Sequence, residues 1–298
     1  MDFDGLCSAV LLKELGVISS IHYCHPRDIT EGRIAVTKDD VLSNVPYAEG
    51  CGLWFDHHSS EQERHDLGAR DIPGSSMLLK SAAHVIYEYY DDDRLDRFGD
   101  LVDYCDKVDS ADLTEEDILN PEGWVLLGFI CDPRTGLGYR KDFRISYYDL
   151  MLKLVDDLRT KGVDEVLADP DVAERVEFYR TGNEEFKVFL KAHSRMDGPV
   201  VVIDTRGVSP VPTGNRFMVY SLFPEANVSV RLISGKVDNR TVIAVGYSIL
   251  NKTAHADVGS IMLRYGGGGH RRVGTCDVPE DRLDEALADI IAELKRED

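Results

Sequence analysis

The sequence has no apolar run approaching the roughly 20 residues that span a bilayer. Its longest apolar stretches are short, Val125–Ile130 and Val200–Ile203. It opens Met-Asp-Phe-Asp, with no basic and then apolar leader, so no signal peptide is expected. Its six cysteines (7, 24, 51, 105, 131 and 276) are scattered and none forms C-x-x-C. That excludes a disulfide-stapled miniprotein and a structural zinc site, and it fits reduced thiols in a cytoplasm. Positive charge is scarce: 34 Lys+Arg stand against 54 Asp+Glu, a formal net charge of -20. A surface that tracks long DNA or RNA needs clustered Lys and Arg, so that class is disfavoured. A short anionic substrate held by metal ions is not excluded, because local charge decides its binding. There is no internal repeat and no low-complexity segment. What is present is an ordinary globular mixture, 43% hydrophobic and 30% charged, too apolar for disorder. A length of 298 residues suits two domains of roughly 150 residues each.

Periodicity places the elements. Residues 4–15 read as a helix entered through Asp4-Gly5, with Leu6, Ala9, Val10, Leu12 and Leu15 at helical spacing. Ile18–Cys24 and Arg33–Thr37 read as strands, the second closed by Asp39-Asp40; Asn44-Val45-Pro46 reads as a loop. Gly52–Phe55 is an apolar run ending in Asp56-His57-His58, the pattern of a buried strand with polar groups at its C-terminal end. Ser76–Tyr90 and 95–112 read as helices, and Thr114–Asp117 as a capping box. Residues 142–193 are helical and charge-rich, broken near Asp169-Pro170. Met196–Pro199 marks a boundary. Beyond it Val200–Ile203, Arg216–Leu222, Val228–Ile233 and Thr241–Gly246 read as strands, and Arg282–Arg296 as a closing helix. The expected fold is α/β: a mostly parallel sheet flanked by helices over 1–190, with a helical connector from about 142, and a smaller α+β domain over 197–298.

Four constellations could carry chemistry. Asp2 and Asp4 stand two apart and can point to opposite sides of one loop, so each can address a different metal ion; a helix N-cap is the plain alternative. Asp56-His57-His58 joins a carboxylate to two imidazoles, and neutral His is a common metal ligand that a carboxylate can orient. The aspartates 103, 106, 109 and 112 recur at three-residue spacing near one helical face, where a cation or solvent must offset their repulsion. Gly266–Gly269 followed by His270, Arg271 and Arg272 reads as a loop that packing alone does not explain. Its bare N–H groups can cradle an anion beside local positive charge.

In this order the motifs D-x-D-G, D-H-H and G-G-G-H resemble the DHH phosphoesterases, in the two-domain form with a DHH-associated C-terminal domain. The branch resembled is that of nanoRNases, phosphoadenosine-phosphate phosphatases and exopolyphosphatases, and the likeness covers nearly the whole chain. The resemblance implies two divalent ions, Mn2+ with Mg2+ as the alternative, held by Asp2, Asp4, Asp40, His57 and Asp109. Asp39 is the rival of Asp40, and Asp106 of Asp109. It implies a phosphate-facing His58 beside Asp56, and substrate contacts from Gly267, Gly268, Gly269, His270, Arg271 and Arg231. The active site is expected in the cleft between the domains. The family's first motif carries a histidine shortly before its two aspartates, where this sequence has only Met1. The expected reason is a start lying further upstream; the other is a protein that has lost its first metal and binds phospholigands without catalysis. The leading expectation is a metal-dependent hydrolase of short oligonucleotides or small nucleotide phosphates, with no long nucleic-acid tract and no membrane partner. Hydrolysis of polyphosphate or another phosphoanhydride is the close alternative. A homodimer is left open.

Overall fold

The computed structural model describes residues 2–58, 72–235 and 239–296. They form two compact units, Met1–Asp112 with Pro121–Glu177, and Leu113–Asn120 with Phe178–Asp298. Among the described residues no helix is long and apolar enough to cross a membrane, and all six cysteines are free thiols.

The first unit is built around helix α1 (Phe3–Glu14), which is buried on almost every side. Leu6, Cys7, Val10 and Leu11 are inaccessible, as expected of a helix apolar all round. After α2 (Pro26–Thr30) come three short parallel strands, β1 (Val41–Ser43), β2 (Leu53–Asp56) and β3 (Gly74–Ser76), in the order β1-β2-β3. Their register pairs Val41 with Leu53 and Asp56 with Ser76. Trp54 and Leu42 anchor a core cluster with Ile29 and Cys51. Helices α3 (Ala82–Tyr90) and α4 (Gly99–Asp109) pack on α1. The short α5 (Glu115–Leu119), which belongs to the second unit, carries the expected Thr114 capping box. It precedes α6 (Gly123–Ile130), which lies against α4, then α7 (Tyr147–Asp157) and α8 (Val163–Leu167). Helix α9 (Pro170–His193) closes this half of the sequence.

The second unit holds a six-stranded sheet of β4 (Ser194–Asp197), β5 (Val200–Asp204), β6 (Val228–Ser234), β7 (Arg240–Tyr247), β8 (Gly268–His270) and β9 (Val273–Pro279). The order is β4-β5-β6-β7-β9-β8, with β5 and β6 parallel and the other neighbours antiparallel. Strand alternation puts Val228, Val230 and Leu232 in a core that Met262 of α11 (Val258–Arg264) and Ile290 and Leu294 of α12 (Leu283–Arg296) complete. The intervening positions Ser229 and Arg231 therefore belong to the other face, where Tyr220 of α10 (Met218–Leu222) bonds Ser229.

Several sequence expectations are corrected. Ile18–Cys24 and Arg33–Thr37 are not strands; neither joins a ladder, and the strand of this region is β1, just beyond Asp39-Asp40. Arg216–Leu222 is not a strand but leads into the single-turn helix α10. The helix expected from Ser76 starts only at Ala82, because Ser81 caps it by accepting from the His84 N–H. Met196–Pro199 contains the turn of the β4–β5 hairpin.

Candidate active site

The α1 N-terminus and the C-terminal end of β2 place the first two groups. Asp2 caps α1, its Oδ1 accepting from Gly5 N at 3.1 Å. Asp4, two residues further, is buried, and its carboxylate accepts from the Ala82 and Ala83 N–H groups at 2.9 Å each. These donors are the first turn of α3, so a helix N-terminus faces a carboxylate, the favourable sense of the helix dipole. Strand β2 ends at Asp56, which carries His57 into the same region. Asp109, the last residue of α4, completes the group.

One ligand atom each from Asp4, His57 and Asp109 lies within 4.8 Å of the others. His57 Nε2 is 3.7 Å from Asp4 Oδ2 and 3.4 Å from Asp109 Oδ2. It is a buried nitrogen with no hydrogen-bond partner. Burial pushes the Asp4 carboxyl above its ordinary range, His57 opposes this, and Asp2 adds to it. Burial pushes Asp109 well up, reinforced by Asp4 and Asp2 and opposed by His58 and Arg134. Two carboxylates and an orphaned imidazole nitrogen crowded this closely fit a divalent cation, which removes their repulsion and gives Nε2 a partner. An O, O, N donor set suits Mn2+, Mg2+ or Zn2+ and needs no thiolate.

Around this centre the other side chains take supporting positions. Asp56 is fully buried and accepts from His58 N at 3.1 Å, while its other oxygen meets His58 Nδ1 at 2.9 Å. That bond raises the His58 pKa against the effect of burial, with Asp109 and Asp4 adding to it, so its charged form is favoured. Asp106 is committed elsewhere: it accepts from Ser81 Oγ at 2.6 Å and meets His84 Nδ1 at 2.7 Å. Asp109 thus stands in the cluster, and Asp106 holds the α3 N-terminus beside it. Asp2 stands at the edge of the cluster, its Oδ1 also accepting from Asn44 Nδ2 at 3.1 Å.

Asp40 is not brought to the cluster. It precedes β1, and β1 runs parallel to β2, so Asp40 lies level with the start of β2 while His57 follows its end. At about 3.3 Å per residue, four residues separate Asp40 from Asn44 by roughly 13 Å. Its Oδ2 instead closes a turn with Thr37 N and Oγ1 at 2.8 Å each. Its rival Asp39 belongs to the same exposed turn. The residue that follows the C-terminal end of β1 is Asn44.

In the second unit, the glycine segment is an edge strand and not an open loop. Gly268–His270 pairs with β9, with Gly269 opposite Gly274. The expectation that packing could not explain these glycines is overturned at two positions. A Cβ on Gly267 would lie 2.0 Å from Thr275 O, and one on Gly269, at φ +157°, 2.2 Å from Val273 O. Gly268 has open space at that position, and His270 and Arg271 are exposed. Arg231 packs beside Tyr220; burial pulls its pKa down, and among the described residues no carboxylate pairs with it.

No family model matches the sequence, and no curated protein matches it. Solved structures do. The pGpG-specific phosphodiesterase PggH from Vibrio cholerae is 34% identical, over 100% of this chain and 97% of that one, with a TM-score of 0.85. The DHH domain of a protein assigned to a family of ribosomal proteins superposes at a TM-score of 0.56, with 16% identity over 82% of this chain and 63% of that one. RecJ from Thermus thermophilus in complex with Mg2+ reaches 0.50, with 16% identity over 99% of this chain and 48% of that one. The two weaker likenesses speak for the fold alone. Identity at the level of PggH over the whole length, on a fold that gathers Asp4, His57 and Asp109, shows that the chain belongs to the DHH family of phosphoesterases.

Proposed function

We propose that this protein hydrolyses the phosphodiester bond of short linear oligonucleotides, dinucleotides first among them, using divalent cations held by Asp4, His57 and Asp109. The observation that carries the reading is the convergence of those three groups, with His57 Nε2 orphaned between two carboxylates. Asp2 is the further ligand of this reading, through the oxygen not used in capping α1. The likeness to a pGpG-specific phosphodiesterase supports a dinucleotide, and pGpG is the first substrate to try. Mn2+ is the ion of choice, with Mg2+ as the alternative.

A bound divalent cation supplies Lewis acidity toward a phosphoryl oxygen and toward water. The chain's own residues do the rest. The Ala82 and Ala83 N–H groups fix Asp4 against rotation. Asp56 fixes the His58 ring and favours its imidazolium, a donor for the charge that develops on phosphoryl oxygen. In the second unit this reading assigns substrate contacts to Gly268, the exposed His270 and Arg271, and Arg231, while Gly267 and Gly269 are held by the close approach of β9.

The test is Mn2+-dependent release of GMP from pGpG, run beside phosphoadenosine phosphate, a cyclic dinucleotide and polyphosphate. Turnover of pGpG at the highest kcat/KM supports the reading, and so does its loss by more than about 100-fold in His57→Ala with the fold retained. A metal-loaded preparation that turns over polyphosphate and not pGpG overturns the substrate class, and one that turns over nothing overturns the activity.

A further inference from the structure

Arg134 stands outside every motif of the sequence, yet it closely follows a helix that packs against the residues flanking the acidic cluster. Helix α6 packs tightly on both halves of that cluster. A Cβ on its Gly128 would lie 3.0 Å from Val108, the residue before Asp109, and 3.6 Å from Phe3, which separates Asp2 from Asp4. Helix α6 ends at Ile130, and the Cys131 carbonyl is held by Tyr147 OH. The 3-10 turn Pro133–Thr135 follows immediately.

Asp132 caps that turn and orients the guanidinium, its Oδ1 accepting from Arg134 N at 2.9 Å and from Nε at 2.7 Å. The side chain is 57% exposed. Burial opposes its charge, but the carboxylates of Asp132, Asp2 and Asp109 outweigh that. Only Nε is engaged. The two terminal amino groups, with four of the five N–H donors of a guanidinium, have no partner among the described residues. An oriented, half-exposed fork, in the field of Asp2 and Asp109 and paired with neither, is arranged for an oxyanion, since the planar donor pair matches two oxygens of a phosphate.

We infer that Arg134 is a substrate-binding residue: its terminal amino groups take two non-bridging oxygens of the phosphate that is presented to the Asp4–His57–Asp109 cluster. Asp132 is then a positioning residue, acting through the Nε bond. The inference rests on the phosphodiesterase reading. Among the described residues Arg134 is a permanent cation that offsets the Asp109 charge.

The experiment compares wild type with Arg134→Ala and Arg134→Lys, each loaded with Mn2+. Three quantities are measured: Mn2+ affinity by calorimetry, kcat and KM for pGpG, and binding of GMP by thermal shift. Loss of a charged bidentate contact predicts a fall in kcat/KM of about 10- to 100-fold in Arg134→Ala. GMP binding should weaken in parallel. Mn2+ affinity should hold or rise, because a positive charge has been removed beside a cation site; a merely structural role would lower it. Arg134→Lys should recover part of the loss through charge alone. Unchanged kcat/KM and GMP binding in Arg134→Ala, with wild type active, overturns the inference and leaves the activity standing. An inactive wild type whose GMP binding still depends on Arg134 overturns the activity and leaves the inference standing. Loss of Mn2+ affinity in Arg134→Ala also overturns it.

Discussion

Asp4, His57 and Asp109 are groups that repel or strand one another unless something positive lies between them. Asp4 is 1% exposed and His57 Nε2 has no hydrogen-bond partner, an arrangement that costs stability on its own. A bound ion reverses the sign: ligand binding to the folded state alone adds about 2.7 kcal/mol at a hundredfold excess over Kd. Mn2+ should therefore raise the Tm of wild type clearly, while His57→Ala and Asp109→Asn lose most of that shift. Differential scanning calorimetry with and without Mn2+ reads this directly, and an equal Tm increment in all three proteins would remove the cluster as the ion site. These three residues were legible in the sequence because each is a polar group at the end of an apolar run or periodic helix. Asp40 was misplaced for a local reason. Residues 33–37 read as a strand, and the resemblance matched Asp40, just beyond it, to a ligand aspartate; the strand that forms starts at Val41 and puts Asp40 before its N-terminal end. Arg134 left no mark, because its meaning lies in how closely α6 approaches Phe3 and Val108.

The first turn of α3 is the element on which the geometry of Asp4 depends, and Asp106 secures that turn from α4 through Ser81 and His84. Three-residue steps rotate a helix by about 60°, so the aspartate series fans out instead of sharing one face. Asp103 is exposed, Asp106 is buried, and Asp109 reaches the cluster. Asp106→Asn should lower stability by about 1–3 kcal/mol, as expected when a buried hydrogen-bond network loses a partner. It should also reduce turnover by loosening the Asp4 donors. Asp103→Asn should stay within about 0.5 kcal/mol of wild type. Urea melts of the two variants decide this; equal midpoints would make Asp106 a bystander. The glycine strand offers a second contrast. Gly267→Ala must push β9 away and should cost about 1–3 kcal/mol, whereas Gly268→Ala enters open space and should leave the urea midpoint unchanged. A fall in kcat/KM for Gly268→Ala at unchanged stability would mark that edge as a substrate contact. Sequence alone could not separate these glycines, since only the approach of β9 distinguishes them. The helix at 218–222 escaped for a related reason: five residues are too few to display a helical period.

A net charge of -20 sets the field in which any anionic substrate approaches. In the proposed reading attraction is local, to cations held at the acidic cluster and to Arg134, and in the other unit to Arg231, His270 and Arg271. Repulsion is general, because acidic side chains outnumber basic ones over the chain as a whole. A dinucleotide carries few phosphates, and local cations can meet all of them. A ten-nucleotide strand carries many more, and each added phosphate adds repulsion from the net negative charge that acts through solvent. Such repulsion fades with the Debye length, about 30 Å at 0.01 M salt and about 10 Å at 0.1 M. Salt also weakens the local contacts, but equally for both substrates, so the ratio of their kcat/KM values isolates the general term. That ratio, dinucleotide over decanucleotide, should be large at low ionic strength and should shrink steadily between about 0.02 and 0.2 M salt at fixed Mn2+. Overall acidity would then act as a length filter on top of site geometry. A ratio independent of salt would assign length preference to the shape of the site alone and leave the excess charge a role in solubility.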